Sequence, residues 1–150
     1  MSIFTPFIRG FNENRFWKYY QKSRNGGSIK KLVYSTLYMR MATKQGGYVG
    51  RETVIEGKPH FPHGLHGVHI SRLAHIGKNA TIFQNVTIGR GGSDSATIEI
   101  GDNVIFGANS VIIAPVKIGD NVKIGAGAIV LGDIPSNCTV VSDKAHIIKK

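Results

Sequence analysis

The stretch from Ile98 to Val130 reads IEIGDNVIFGANSVIIAPVKIGDNVKIGAGAIV. Within it Ile100, Phe106, Ile112, Ile118, Ile124 and Val130 recur at every sixth position. The same series runs upstream through Ile70, Ile76, Ile82 and Ile88. The second place of the hexad is often Gly (Gly77, Gly89, Gly101, Gly107, Gly119, Gly125), and the fourth is often Asn or Gly (Asn79, Asn85, Asn103, Asn109, Asn121, Gly127). The fifth is small or β-branched (Ala74, Ala80, Val86, Val104, Ser110, Val116, Val122, Ala128). A short fixed period of this kind marks a solenoid. Neither a helical period near 3.6 nor strand alternation produces it.

Each hexad is a short strand followed by a corner. The aliphatic first residue and the small fifth residue both point inward. Asn or Gly at the corner tolerates the left-handed backbone conformation that other residues resist. Successive coils then pair as parallel strands roughly 4.8 Å apart, so that one coil satisfies the backbone of the next.

The chain of 150 residues suffices for one domain. A solenoid core is a narrow stack, so its ends need caps. The single Cys138 excludes an internal disulfide framework and fits a reducing compartment. There is no run of about 18 apolar residues and no signal-peptide core, so the expected location is cytoplasmic. The net charge of +10 is concentrated at the start, where residues 1–50 hold nine Lys and Arg against Glu13 alone. Such a patch suits phosphates, polyanions or an anionic membrane surface, or is a solvated helical face. No nucleic-acid-binding module accompanies it, so nucleic acid is not an expected partner.

Residues 1–47 read as a helical cap. Phe4, Phe7 and Ile8 lie in an irregular lead, and a first helix is expected from about Asn12 to Ser23. Asn25-Gly26-Gly27 stops that helix. Ser28 is placed to cap a second, with Ile29, Leu32, Val33, Thr36 and Leu37 on its inward face and Gln45-Gly46-Gly47 at its end. Residues 48–136 read as the solenoid and 137–150 as a tail with the basic residues Lys144, Lys149 and Lys150. A first register (Val49, Ile55, Phe61) breaks phase by three residues before Ile70, within Pro62-His63-Gly64-Leu65-His66-Gly67-Val68. A second irregularity near 89–99, with Gly91, Gly92, Ser93, Asp94 and Ser95, reads as an excursion loop.

A solenoid that breaks phase does so for a loop or a site. His60, His63, His66 and His69 cluster at this break, with His75 further on. Acyl transfer to an alcohol needs a general base to take the hydroxyl proton, and His is suited to that task. Zinc needs ligands that converge, and these His residues crowd into one segment instead of spreading over successive coils, so no metal is expected.

The pairing of FPHGLHGVHI (61–70) with IFQNVTIG (82–89) resembles the hexapeptide-repeat acyltransferases, in their serine-acetyltransferase-like branch. The resemblance covers roughly residues 48–150 and is nearest to the short members that O-acetylate capsular and exopolysaccharide sugars. It implies a left-handed parallel β-helix, a handedness that the periodicity alone does not give. In the sugar enzymes a His-Gly-Leu-x-Gly segment carries the base, which falls on His63. In serine acetyltransferases the base sits three residues before the Gly that Gly67 matches. That position is Gly64 here, so His63 requires a one-residue shift and His66 is its rival. Pro62 replaces the aspartate that precedes the base in serine acetyltransferases. Their second active-site histidine aligns near Thr97, and their large helical domain is replaced by about 45 residues.

The resemblance further implies acetyl-coenzyme A as donor and a homotrimer whose active sites form between neighbours. Gly107-Ala108 and Gly125-Ala126 match the steps that line the coenzyme, or are simply what those hexad positions tolerate. Lys144, His146 or the final lysines stand where the family has an Arg near the coenzyme phosphates. The expected function is O-acetyl transfer to a sugar or glycan hydroxyl. Serine O-acetylation is the alternative enzyme reading, and a non-catalytic scaffold is the third. A lipid-linked acceptor would place the basic cap at the inner membrane face, with Trp17 exposed there. Otherwise Phe16, Trp17 and Tyr20 seal the first coil.

Overall fold

The computed structural model describes residues 11–92, 96–143 and Ile148. A helical hairpin comes first, α1 (Glu13–Arg24) and α2 (Ser28–Thr43). The Asn12 side chain accepts the Arg15 N–H at 2.8 Å and caps α1. Gly27 occupies the cap position of α2 without a side-chain bond, and Ser28 is the first helical residue, not its cap.

The inward face of α2 differs from the expected one. Ile29 is 80% exposed, with Leu32 and Val33 about half exposed, whereas Ser35, Tyr38 and Ala42 are buried. The reason lies at the tips of the tyrosines. The Tyr38 hydroxyl donates to the Gly50 carbonyl at 3.1 Å. The Tyr20 hydroxyl donates to the Thr53 carbonyl at 2.9 Å and accepts the Ile55 N–H at 2.6 Å. The hairpin thus docks through rings whose polar ends satisfy the backbone of the first coil, which a purely apolar stripe could not do. Burial pushes the Tyr38 phenol up to about 12 and raises that of Tyr20, so both remain protonated at neutral pH.

Phe16 is fully buried at the centre of this joint. Its ring lies 5.7 Å from Phe11, 5.7 Å from Tyr38 and 5.8 Å from Phe61. Trp17 stacks on Tyr20 at 5.1 Å and is partly buried against the core. Phe16, Trp17 and Tyr20 therefore seal the first coil, and Trp17 is not the exposed membrane contact.

The rest is a parallel β-solenoid with three sheets, consistent with the left-handed prism. Sheet one holds β1 (Tyr48–Val49), β3 (His69–Ile70), β6 (Thr87–Gly89), β9 (Val111–Ile113) and β12 (Ile129–Val130). Sheet two holds β2 (Val54–Ile55), β4 (Ala74–Ile76), β7 (Ile98–Ile100) and β10 (Val116–Ile118). Sheet three holds β5 (Thr81–Ile82), β8 (Ile105–Phe106), β11 (Lys123–Ile124) and β13 (Thr139–Val140). The hexad residues pair across coils, Val49 with Ile70, Ile70 with Ile88, Ile88 with Ile112, and Ile112 with Val130. Ile55, Ile76, Ile100 and Ile118 do the same on sheet two. The registers before and after the phase break therefore join into one core, and the extra residues are confined to corners. β13 lies in the segment read as a tail, where it extends the stack by pairing with β11.

The corners explain the Asn positions. Asn79, Asn85, Asn103, Asn109, Asn121 and Asn137 all adopt φ between 56 and 62°. Asn79, Asn103, Asn121 and Asn137 form a ladder in which each Nδ2 donates to the next Oδ1 at 3.0–3.1 Å. The side chain thereby adds a bond between coils at a backbone conformation that most residues avoid. Among the described residues no helix is long and apolar enough to cross a membrane.

Candidate active site

One edge of the prism, between sheets three and one, gathers the sequence-derived candidates. It is built from segments 62–67, 83–85, 107–109 and 125–127 of successive coils. Asn85 N–H donates to the His66 carbonyl at 2.8 Å, Asn109 N–H to Gln84 at 3.1 Å, and Gly127 N–H to Ala108 at 2.9 Å. His63, His66, Gly107, Ala108, Gly125 and Ala126 thus line a single track three coil steps long, or about 14 Å at the usual strand spacing. Lys144 lies outside the described residues, as do His146, Lys149 and Lys150. Thr97 sits on a different edge, at the entry to β7, where its carbonyl accepts the Val116 N–H at 3.1 Å.

The histidines of the first corner are in different situations. His63 is exposed, its ring 5.8 Å from that of Phe83, and neither ring nitrogen is hydrogen-bonded among the described residues. His66 Nε2 lies 3.4 Å from Gln45 Nε2. Because Gln45 Oε1 accepts the Leu65 N–H at 2.6 Å, the amide nitrogen must face His66. The His66 Nε2 lone pair then faces that amide. His69 Nδ1 is 3.0 Å from the Gly67 carbonyl. A carbonyl only accepts, so Nδ1 carries the proton and Nε2 presents a lone pair to solvent. His69 is a third candidate. His75 lies on sheet two between Glu56 (2.8 Å) and Glu99 (3.3 Å), remote from this edge. Among the described residues no group of three metal-binding side chains converges.

Stacking explains the glycines of the track. A Cβ on Gly107 would lie 2.5 Å from the Ala126 N and 2.8 Å from the Gly125 C, so the next coil excludes it. Gly125 is less constrained, with the Val140 carbonyl at 3.0 Å. Gly107 is therefore required by coil contact whatever lies along the edge, while its small size also keeps the backbone open to a ligand. Two side chains from the cap reach this corner and escaped sequence reasoning. Glu13 Oε1 accepts the Phe61 N–H at 2.7 Å, and Gln45 binds as described above. They stand far from the loop in sequence, and no periodicity relates them to it. A cavity of about 140 Å³ lies beside the loop, lined by Phe11, Glu13, His60, Phe61, Pro62 and Gly64.

Residues 97–132 match the family model described as bacterial transferase hexapeptide (six repeats). The chain has the hexapeptide-repeat β-solenoid fold of that family. Within it, the soybean serine acetyltransferase complexed with serine is 30% identical with a TM-score of 0.71, over 89% of this chain and 54% of that one. The serine acetyltransferase of Neisseria gonorrhoeae is 28% identical with a TM-score of 0.73, over 96% of this chain and 56% of that one. Isoform 3 from Entamoeba histolytica, in complex with cysteine, is 28% identical with a TM-score of 0.72, over 91% and 48%. The chain spans about half the length of these hexapeptide-repeat relatives. The comparison with curated proteins gives no match.

Proposed function

We propose that this chain is an acetyl-coenzyme A-dependent O-acetyltransferase, and that L-serine is the acceptor to test first. The observation that carries the reading is the corner loop of a hexapeptide prism presenting His63 with an uncommitted imidazole at the head of a track of small residues. His63 takes the proton of the acceptor hydroxyl, and the oxygen attacks the thioester carbonyl. The tetrahedral intermediate collapses, the C–S bond breaks, and the departing thiolate takes the proton from the imidazolium. Backbone N–H groups supply the oxyanion contact. The pantetheine arm lies along Gly107, Ala108, Gly125 and Ala126. The serine acceptor is favoured by the three serine acetyltransferase neighbours.

A sugar hydroxyl is the second reading, and one contact favours it. Serine carries an ammonium group that calls for a carboxylate. Pro62 stands immediately before His63, and Glu13, the carboxylate touching this loop, is engaged by the Phe61 N–H and by Lys58 at 3.2 Å. Release of free thiol from acetyl-coenzyme A, measured with serine and with a panel of sugars, decides between them. The thiol-releasing species is expected to be a homotrimer by light scattering. No thiol release with any hydroxyl acceptor would leave the scaffold reading, and an active monomer would remove the shared site.

Peripheral contact with an anionic membrane is supported by Ile29, Leu32 and Val33, exposed beside Lys30 and Lys31 on a cap of high positive charge. A second cap would bring like charge against like, which disfavours a cap-to-cap contact. Salt-sensitive co-sedimentation with anionic vesicles and little with neutral ones is expected. Equal binding to both, or to neither, overturns it.

A further inference from the structure

The first coil poses a backbone problem that the others do not. Between coils the backbone N–H groups are donated in both directions, forward as from Tyr48 to Val68 and His60 to Ala80, and backward as from Ile82 to His60 and Asn85 to His66. The first coil has no predecessor, and its corner carries three extra residues. Its N–H groups that point toward the second coil are met there, as those of Tyr48, Gly50, Glu56 and His60 are, while those that point the other way need acceptors from elsewhere.

At the corner the cap supplies them at three points. Glu13, the first residue of α1, accepts the Phe61 N–H at 2.7 Å and holds Lys58 at 3.2 Å, with His60 Nδ1 at 3.3 Å. Gln45, two residues past the end of α2, accepts the Leu65 N–H through Oε1 at 2.6 Å and the Gly67 N–H through its own carbonyl at 3.2 Å. The turn between these anchors closes by Gly64 N–H to the Phe61 carbonyl at 3.0 Å. Gly64 has φ +67°, and a Cβ there would lie 2.8 Å from Gln45 Oε1. The loop is thus shaped to receive the Gln45 amide. Nothing in the solenoid repeat dictates either residue.

We propose that Glu13 and Gln45 are positioning residues for the reaction. The cap then acts on the rate of the chemical step by fixing the His63 loop at both of its ends, beyond covering the first coil. This rests on the reading of His63 as the base. Neither residue touches the reacting atoms; each acts through the backbone of residues 61–67. A misplacement of the base by about 1 Å is enough to cost on the order of 10²-fold in rate.

The test compares Gln45→Ala, Gln45→Glu, Glu13→Ala and Glu13→Gln in the full chain. The Glu and Gln replacements keep an oxygen acceptor for the pinned N–H, and the Ala replacements remove it. Both Ala variants are expected to lose roughly 10–100-fold in kcat with KM for acetyl-coenzyme A unchanged, and Gln45→Glu and Glu13→Gln to recover most of it. Amide hydrogen exchange at Leu65 should accelerate in Gln45→Ala, and at Phe61 in Glu13→Ala, in the folded protein. Faster exchange without loss of kcat overturns the proposal, as does a kcat loss in the Ala variants that the acceptor-retaining variants fail to recover. Unchanged exchange at these amides also overturns it. Failure of the base reading is separately visible, because it would leave His63→Ala active in the same assay.

Discussion

Replacing His63 with Ala lowers turnover by roughly 10²–10⁴, the range associated with a positioned general base. The protein stays folded, because the ring is exposed and its packing is limited to the edge of Phe83 at 5.8 Å. The loss falls on kcat, since the track of Gly107, Ala108, Gly125 and Ala126 proposed for the coenzyme is untouched. The companion variants His66→Ala and His69→Ala separate the rivals. His66→Ala removes a ring whose Nε2 already faces the Gln45 amide at 3.4 Å, so its effect should be smaller. Near-wild-type turnover in His63→Ala with a dead His66→Ala would transfer the role to His66. If all three variants retain full activity, the base mechanism is wrong.

Phe16→Ala carries the largest expected cost to stability, about 3–5 kcal/mol, the range for truncating a buried aromatic side chain. The ring is fully buried and in contact with Phe11, Tyr38 and Phe61, which leaves no mobile neighbour to refill the space. For a chain of this size that corresponds to a fall of roughly 6–20 °C in Tm. Differential scanning calorimetry measures it, and a change below 1 °C would mean that the joint does not stabilise the fold. Because Phe61 begins the loop that carries His63, the same variant is also expected to lower activity before it melts. By contrast, Ile29→Ala should change Tm little, since its side chain is largely in solvent.

The solenoid was legible because its signal is repeated and local. Ile70, Ile76 and Ile82 each report one side of the same coil, and the Asn corners report a backbone angle that few residues accept. The phase break at 62–68 was visible for the same reason, as a fault in a regular series. The cap was harder to read. The pattern Ile29, Leu32, Val33 points outward, while the docking face uses Tyr38, whose value lies in combining a large ring with a hydrogen bond to Gly50. Of the site, the histidine cluster and the small residues of the track could be named from sequence, but not their tautomers. The Gln45 contact, which sets His66 apart from His63, depends on a side chain some twenty positions away with no repeat to announce it.

The way the cap consumes the lower N–H groups of the first coil gives the stack a direction. A duplicated 18-residue coil can enter between two existing coils and find above and below it the same ladders it brings, including the Asn rungs. It cannot enter beneath the first coil without surrendering Glu13, Gln45, Tyr20 and Tyr38 from their partners at once. Lengthening of this protein over evolutionary time is therefore confined to one side of its reactive corner. The distance from cap to His63 stays fixed, while the reach of the edge beyond it is free to vary with the size of the molecule it must hold.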